Sequence, residues 1–240
     1  MTGDTSAAPV TAGGGAREGR LAAARPRGFA DGDQFLHLTR VVVRAVLRAV
    51  ASIKVEDLDR CPPVSAGPLI LASSHLAYYD IPLLGSILPR PTIFFSKSEV
   101  EAWPILGWVG AKYGTIYVRR GEADRTAIRD ALGVLAAGQM LVIFPEGHRN
   151  KGAGLLPAQP GISLLAARGN ALIWPLAVDG TDRIFRGPRP RVTVRGGEPF
   201  DPREITGDDG TPVRDHRAVA DEVMRRIAAL LPRGARGAYA

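Results

Sequence analysis

From Pro68 onward the chain alternates short β-branched runs with helical or loop stretches. The runs are LILAS (69–73), TIFFS (92–96), TIYV (115–118), LVIF (141–144), LIWPLAV (172–178) and RVTV (191–194). The clearest helical patterns between them are 125–137 and 161–168. Such alternation predicts an α/β fold with a mostly parallel central sheet flanked by helices. A closing amphipathic helix is expected over roughly 213–231, after the Gly- and Asp-rich loop 207–210. No internal repeat is visible.

Upstream of that region, residues 34–54 change character. At 100° per residue, His37, Arg40, Arg44 and Arg48 fall on an arc of roughly 80°, and an apolar set running from Phe35 to Ile53 fills most of the other side. The segment contains no acidic residue. Two arrangements fit this N-terminal amphipathic helix. It lies on anionic lipid with its cations at the headgroups, or it packs on the core with its arginines in water. Residues 1–33 are rich in Ala, Gly and Arg and have no apolar h-region, so they read as a flexible tail rather than a secretory signal. The expected organisation is a tail (1–33), an amphipathic membrane-surface helix (34–55), an α/β domain (56–211), and a C-terminal helix and tail of the same domain (212–240).

The chain has 240 residues, 45% of them apolar and 23% charged, which is enough for one α/β domain with a real core. No apolar stretch is long enough for a membrane-spanning helix. The formal charge is +7, carried by 27 Arg against 4 Lys, and favours anionic partners. Aromatics are only 6%, with no interleaved Arg and aromatic ladder, so nucleic acid is not expected as a partner. The single cysteine, Cys61, cannot close an intramolecular disulfide and is given no role.

Four strand candidates end in reactive or charged groups: LILASS in His75, TIFFS in Lys97, TIYV in Arg119 and Arg120, and LVIFP in Glu146. If these strands are parallel, one rim of the sheet gathers all of them, and ligands of open parallel sheets bind at that rim. His75 is followed by Asp80 in the run HLAYYD. A separation of five is poor for one helix face, but a strand-to-helix turn folds the carboxylate back onto the imidazole. A carboxylate there fixes the histidine tautomer and leaves the other nitrogen free to take a proton. The alternative is a loop histidine and an unrelated helix-capping aspartate. The segment Phe144-Pro145-Glu146-Gly147-His148-Arg149 makes a tight turn offering backbone N–H groups and a guanidinium fork, both suited to phosphate. Its alternative is a plain turn with a solvated arginine. No metal-spaced pattern of ligands accompanies His148, so no metal site is expected.

Taken together these blocks resemble the glycerolipid acyltransferases typified by lysophosphatidic acid acyltransferase. The first is His75 to Asp80. The second runs from Lys97-Ser98-Glu99 through Pro104, Gly107 and Gly114 to Arg119-Arg120. The third is Phe144 to Arg149, and the fourth centres on Pro175. The resemblance covers roughly residues 65–200, and four ordered blocks are far more specific than any one. It departs at His148, where a small hydroxyl or glycine-like residue is usual, and at Arg119, where an acidic residue is common.

The resemblance implies His75 as general base and Asp80 as its orienting partner. It implies Glu146, Gly147 and Arg149 as the glycerol-phosphate site, with Arg120 as another phosphate ligand and Lys97 reinforcing it, and Pro175 shaping the acyl pocket. The implied reaction moves a fatty acyl group from an acyl thioester, on coenzyme A or acyl carrier protein, to a lysophospholipid hydroxyl. The default acceptor is 1-acylglycerol-3-phosphate; another lysolipid or a glycolipid alcohol is the alternative. No cofactor beyond the thioester co-substrate is implied, and the expected location is peripheral, on the cytoplasmic side of a membrane. Two rival readings are a lipid hydrolase using the same histidine and a non-catalytic anionic-lipid-binding protein.

Overall fold

The run Leu69–Ser73 is buried along its whole length, and its side chains split between two apolar layers: Ile70 and Ala72 in one, Leu69 and Leu71 in the other. That is the signature of a strand inside a sheet covered on both faces. The computed structural model describes residues 34–90, 92–97, 115–118, 125–207 and 209–240. Within them run α1 (Gln34–Val50), β1 (Ser52–Glu56), β2 (Leu69–Ser73), α2 (Asp80–Ile87), β3 (Thr92–Lys97) and β4 (Ile116–Val118). They are followed by α3 (Arg125–Ala136), β5 (Met140–Ile143), α4 (Gly161–Gly169), β6 (Leu172–Asp179), β7 (Arg191–Gly196) and α5 (His216–Leu230). The expected tail 1–33 lies outside the described residues.

The described strands form one sheet in the order β1-β7-β6-β2-β5-β3-β4. Strands β6, β2, β5, β3 and β4 are mutually parallel; β7 pairs antiparallel to β6 and carries β1 parallel to itself. The mostly parallel sheet expected from the alternating pattern is therefore present, and β2 to β5 end at one rim. Helices α3, α4 and α5 bury Leu135, Ile162 and Met224 against one face. Helices α1 and α2 bury Leu47, Leu83, Leu84 and, just past the end of α2, Leu88 against the other. Asp215 caps α5 by accepting from the N–H groups of Arg217 and Ala218.

The N-terminal helix is shorter than expected. It stops at Val50, and Ser52–Glu56 pair with β7 as β1. A helix over 34–55 is thus corrected: the β-branched residues Ile53 and Val55 enter an edge strand after a single linking residue, Ala51. The arginine stripe is also not where a helical wheel puts it. Arg40 donates to the Leu88 carbonyl and Arg44 to the Ser86 carbonyl, at the C-terminal end of α2. Two cations so satisfy carbonyls that a helix end leaves without partners. Leu47, Val43 and Val50 pack inward, while Leu38, Val41, Val42 and Val46 stand half or more exposed. Among the described residues no helix is long and apolar enough to cross a membrane.

A buried guanidinium holds the opposite rim. Arg90 donates to the carbonyls of Pro62, Pro63, Gly67 and Gly138, tying together the segments that lead into β2 and β5. Only a planar fork reaches several carbonyls at once, so Arg90→Lys is expected to lower unfolding free energy by about 2–3 kcal/mol in chemical denaturation. Wild-type stability in that variant would show that the four contacts are individually dispensable.

Candidate active site

At the C-terminal end of β2 the chain leaves the sheet through Ser73, Ser74 and His75. Ser74 extends the pairing with β6 by one residue, its hydroxyl donating to the Val178 carbonyl (3.0 Å) and accepting from the Val178 N–H (2.8 Å). Ser73 donates to the Ser74 carbonyl. Both hydroxyls are consumed in backbone bonds, which removes them as partners for the imidazole.

His75 is held on every side. Its N–H donates to Glu146 Oε1 (2.8 Å), its carbonyl accepts from the Asn150 N–H (2.8 Å), and its ring stacks on Phe144 with centroids 4.0 Å apart. Nδ1 lies 2.8 Å from Asp80 Oδ2. Asp80 opens α2 and is fully buried, and the same Oδ2 also accepts the N–H groups of Leu76 (2.7 Å) and Ala77 (2.9 Å). Its Oδ1 accepts the hydroxyl of Thr181. A carboxylate facing donors on both oxygens requires the proton of the facing ring nitrogen to sit on Nδ1, which leaves the Nε2 lone pair as the base. Nε2 makes no hydrogen bond among the described residues, and the side chain keeps 14% exposure.

Glu146 corrects an expectation. It is fully buried, and its oxygens accept from the N–H groups of His75 and Leu156 (2.9 Å) and from the Asn150 side chain (3.0 Å to Oε2). A carboxyl sealed from solvent, with its oxygens already taken by protein donors, is not open to a phosphate. Glu146 instead joins the turn after β2 to the turn after β5. Burial pushes its carboxyl above the ordinary carboxylate range, opposed by the donors, which pull it down.

Gly147 sits at φ +74°, and its N–H closes the turn on the Phe144 carbonyl (3.0 Å). A side chain there would be strained by φ and tight against Gln159. The Gly147 N–H is thus spent, whereas the N–H groups of His148 and Arg149 make no hydrogen bond among the described residues. The Arg149 guanidinium lies over the Tyr78 ring, 3.6 Å from its centroid. Tyr78 is three residues from His75, so blocks one and three adjoin. The donors left open at this turn are the backbone N–H groups of His148 and Arg149.

The other expected site residues divide. Lys97 ends β3 at the same rim, with its side chain outside the described residues, as is Arg120 altogether. Pro175, the residue expected to shape an acyl pocket, lies in the sheet. It is buried in β6 opposite Ala72, at a bulge where Leu176 faces Gly196 but Ile173 faces Phe200. A proline, lacking an N–H, fits such a slip in the ladder. Cys61 is half-buried, and desolvation pushes its thiol up to about 11, so it is no nucleophile near neutral pH. Among the described residues no group of three or more His, Cys, Asp or Glu is gathered to hold a metal.

Thr181, Asn150 and Phe144 were not picked out as dyad supports by sequence reasoning. Phe144 opens the third block and Asn150 directly follows it, close enough to be suspected. Thr181 gives no local signal, since its partner is 101 residues away.

Two outcomes are expected. Thr181→Val leaves a buried carboxylate oxygen without a donor and should destabilise by about 1–3 kcal/mol, with Thr181→Ser restoring most of the loss. Equal stability of all three proteins in urea would remove Thr181 from the site. Because burial raises Glu146, the folded protein binds its proton more tightly than the unfolded chain. The stability contributed by this group therefore falls as pH rises from the ordinary carboxylate range through the raised value. The unfolding free energy of wild type minus that of Glu146→Gln should decrease with rising pH across that window. An increase would reverse the sign assigned to the burial.

Residues 52–179, more than half of the chain, match the family profile described as Acyltransferase. The lyso-ornithine lipid O-acyltransferase of Pseudomonas aeruginosa is 37% identical over 112 residues, covering 46% of this chain and 43% of that protein. The 1-acyl-sn-glycerol-3-phosphate acyltransferase of Neisseria gonorrhoeae is 28% identical over 142 residues, 58% of this chain and 55% of that protein. The chain thus spans about half the length of the curated relatives it matches. The crystal structure of the 1-acyl-sn-glycerophosphate acyltransferase from Thermotoga maritima superposes with a TM-score of 0.65 at 22% identity, covering 81% of this chain and 79% of that one, a likeness of fold. The matched span begins at β1 and ends with β6, so it encloses His75, Asp80 and the turn after β5. By that match the chain belongs to the acyltransferase family.

Proposed function

We propose that this chain transfers a fatty acyl group from an acyl thioester to the hydroxyl of a lysophospholipid, with His75 as general base. The observation that carries the reading is the 2.8 Å contact between His75 Nδ1 and Asp80 Oδ2, which leaves Nε2 free to accept a proton. Nε2 takes the proton of the acceptor hydroxyl as its oxygen attacks the thioester carbonyl. The C–O bond forms, the tetrahedral intermediate collapses, the C–S bond breaks, and the departing thiolate receives the proton from the imidazolium. Asp80 stabilises the positive ring between the two transfers without itself taking a proton. No acyl-enzyme is needed, since Ser73 and Ser74 are engaged with backbone. Coenzyme A and acyl carrier protein both supply a suitable thioester.

For the acceptor, the His148 and Arg149 donors favour a phosphate such as that of 1-acylglycerol-3-phosphate. The 37% identity to a lyso-ornithine lipid O-acyltransferase favours a second reading, an acceptor whose headgroup is an amino acid. The outward apolar face of α1 supports a peripheral seat on a membrane, on the cytoplasmic side where acyl thioesters are made.

The test incubates the protein with acyl-CoA and acyl carrier protein thioesters and a panel of lysolipids, with products read by mass spectrometry. A diacyl product is expected, and His75→Ala should lower its formation at least about 100-fold while leaving the fold intact. Arg149→Ala should raise the KM for a phosphate acceptor far more than that for the thioester. Release of free fatty acid alone, or near-wild-type turnover by His75→Ala, would overturn the reading.

A further inference from the structure

Between β6 and β7 the chain runs Thr181-Asp182-Arg183-Ile184-Phe185-Arg186-Gly187-Pro188-Arg189-Pro190. It begins at the dyad, where Thr181 donates to Asp80, and it is pinned by Ile184, which is buried in the same layer as Leu47 of α1. Beyond that pin, residues 185–189 are all exposed. Phe185 is 64% exposed and sits at φ +65°, a left-handed conformation that a bulky side chain adopts only at an energetic cost. Its ring meets the edge of Tyr79, with centroids 5.6 Å apart, and most of it faces outward. Nothing in the packing of the domain accounts for an aromatic ring held out in this way.

The charges around it are mainly cationic. Arg183 pairs with Asp179 at 3.5 Å, and Asp182 lines a cleft beside Leu76 and Asn150. Arg186 has no side-chain partner among the described residues, and Arg189 donates to the carbonyl of Arg48 (3.2 Å), in the last turn of α1. Arg189 lies four positions after Phe185, at most about 14 Å of chain. The loop is therefore tied to the end of α1 and lies on the same side of the sheet. There α1 turns Leu38, Val41, Val42 and Val46 outward. An exposed aromatic ring with arginines beside it, on a loop tied to a helix that also turns apolar residues outward, matches an anionic bilayer: acyl chains below, phosphates above.

We propose that the Phe185–Arg189 loop is a second lipid-docking element which, with the outer face of α1, seats the protein on anionic membrane. Phe185 enters the boundary between headgroups and acyl chains, and Arg186 and Arg189 meet lipid phosphates. Since the loop starts at Thr181 and touches Tyr79, docking it brings the rim that carries His75 to the bilayer from which a lysolipid arrives. The inference rests on the acyltransferase reading for its purpose, but its test does not depend on turnover.

The full-length chain carrying Cys61→Ser and Phe185→Cys is labelled with an environment-sensitive nitrobenzoxadiazole probe. It is mixed with phosphatidylcholine vesicles containing or lacking phosphatidylglycerol. A blue-shifted, brighter emission only with phosphatidylglycerol is expected. In the unlabelled protein, Phe185→Ser with Arg186→Gln and Arg189→Gln should weaken vesicle co-sedimentation roughly tenfold or more, while transfer to a short-chain, monomeric lysolipid is unchanged. A probe at 185 that stays in water while one at Val42→Cys enters the bilayer would overturn the proposal, leaving α1 as the sole anchor. Unchanged co-sedimentation of the triple variant, or a probe shift caused by a protein partner and not by vesicles, would overturn it as well. Loss of transfer by the wild type with the probe shift intact would instead count against the acyltransferase reading alone.

Discussion

A carboxylate taken out of water is costly unless protein donors replace the lost solvent, and the site is organised around meeting that requirement at Asp80. Its two oxygens collect the N–H groups of Leu76 and Ala77, the Nδ1 proton of His75 and the hydroxyl of Thr181. Those donors come from the turn after β2 and from the far end of β6. Satisfying one buried acid therefore brings two strand ends together and aims the imidazole in the same step. The position of Asp80 in the first turn of α2 adds to this, because a negative charge is favoured at a helix N-terminus.

Glu146 repeats the device on the backbone rather than on the ring. It accepts the His75 N–H and anchors the turn after β5 through Asn150 and Leu156. One acid sets the tautomer of His75, and the other sets where its backbone stands relative to the turn after β5. With the stacking of Phe144, His75 has little freedom left, which is the pre-organisation that the proposed proton transfer requires.

Much of this was legible in the chain. Runs such as Leu69–Ser73 and Leu172–Val178 announce buried strands because consecutive apolar residues have no other use at that length. Parallel polarity then follows from the helices between them and places the charged strand ends on one rim. The His75–Asp80 pair was readable because its partners are local. What the pattern did not reveal depends on contacts distant in sequence. Strand β1 was hidden because Ser52–Glu56 follow a helix with a single linking residue, and their partner is β7. The inward turn of Arg40 and Arg44 was hidden because a helical wheel knows nothing of the carbonyls at the end of α2. Glu146 was given to the phosphate because a motif locates a residue without saying which way its side chain points.

The central claim is that Asp80 holds His75 as the Nδ1–H tautomer with Nε2 available as the base. Nitrogen-15 NMR of the histidine-labelled protein, with the resonances of His75 assigned by comparison with His75→Gln, reads that state directly. The account predicts, for the neutral ring, a protonated Nδ1 with a strongly deshielded proton and an unprotonated Nε2, and loss of both features in Asp80→Asn. A proton on Nε2 in the wild type, or spectra indifferent to Asp80, would contradict it.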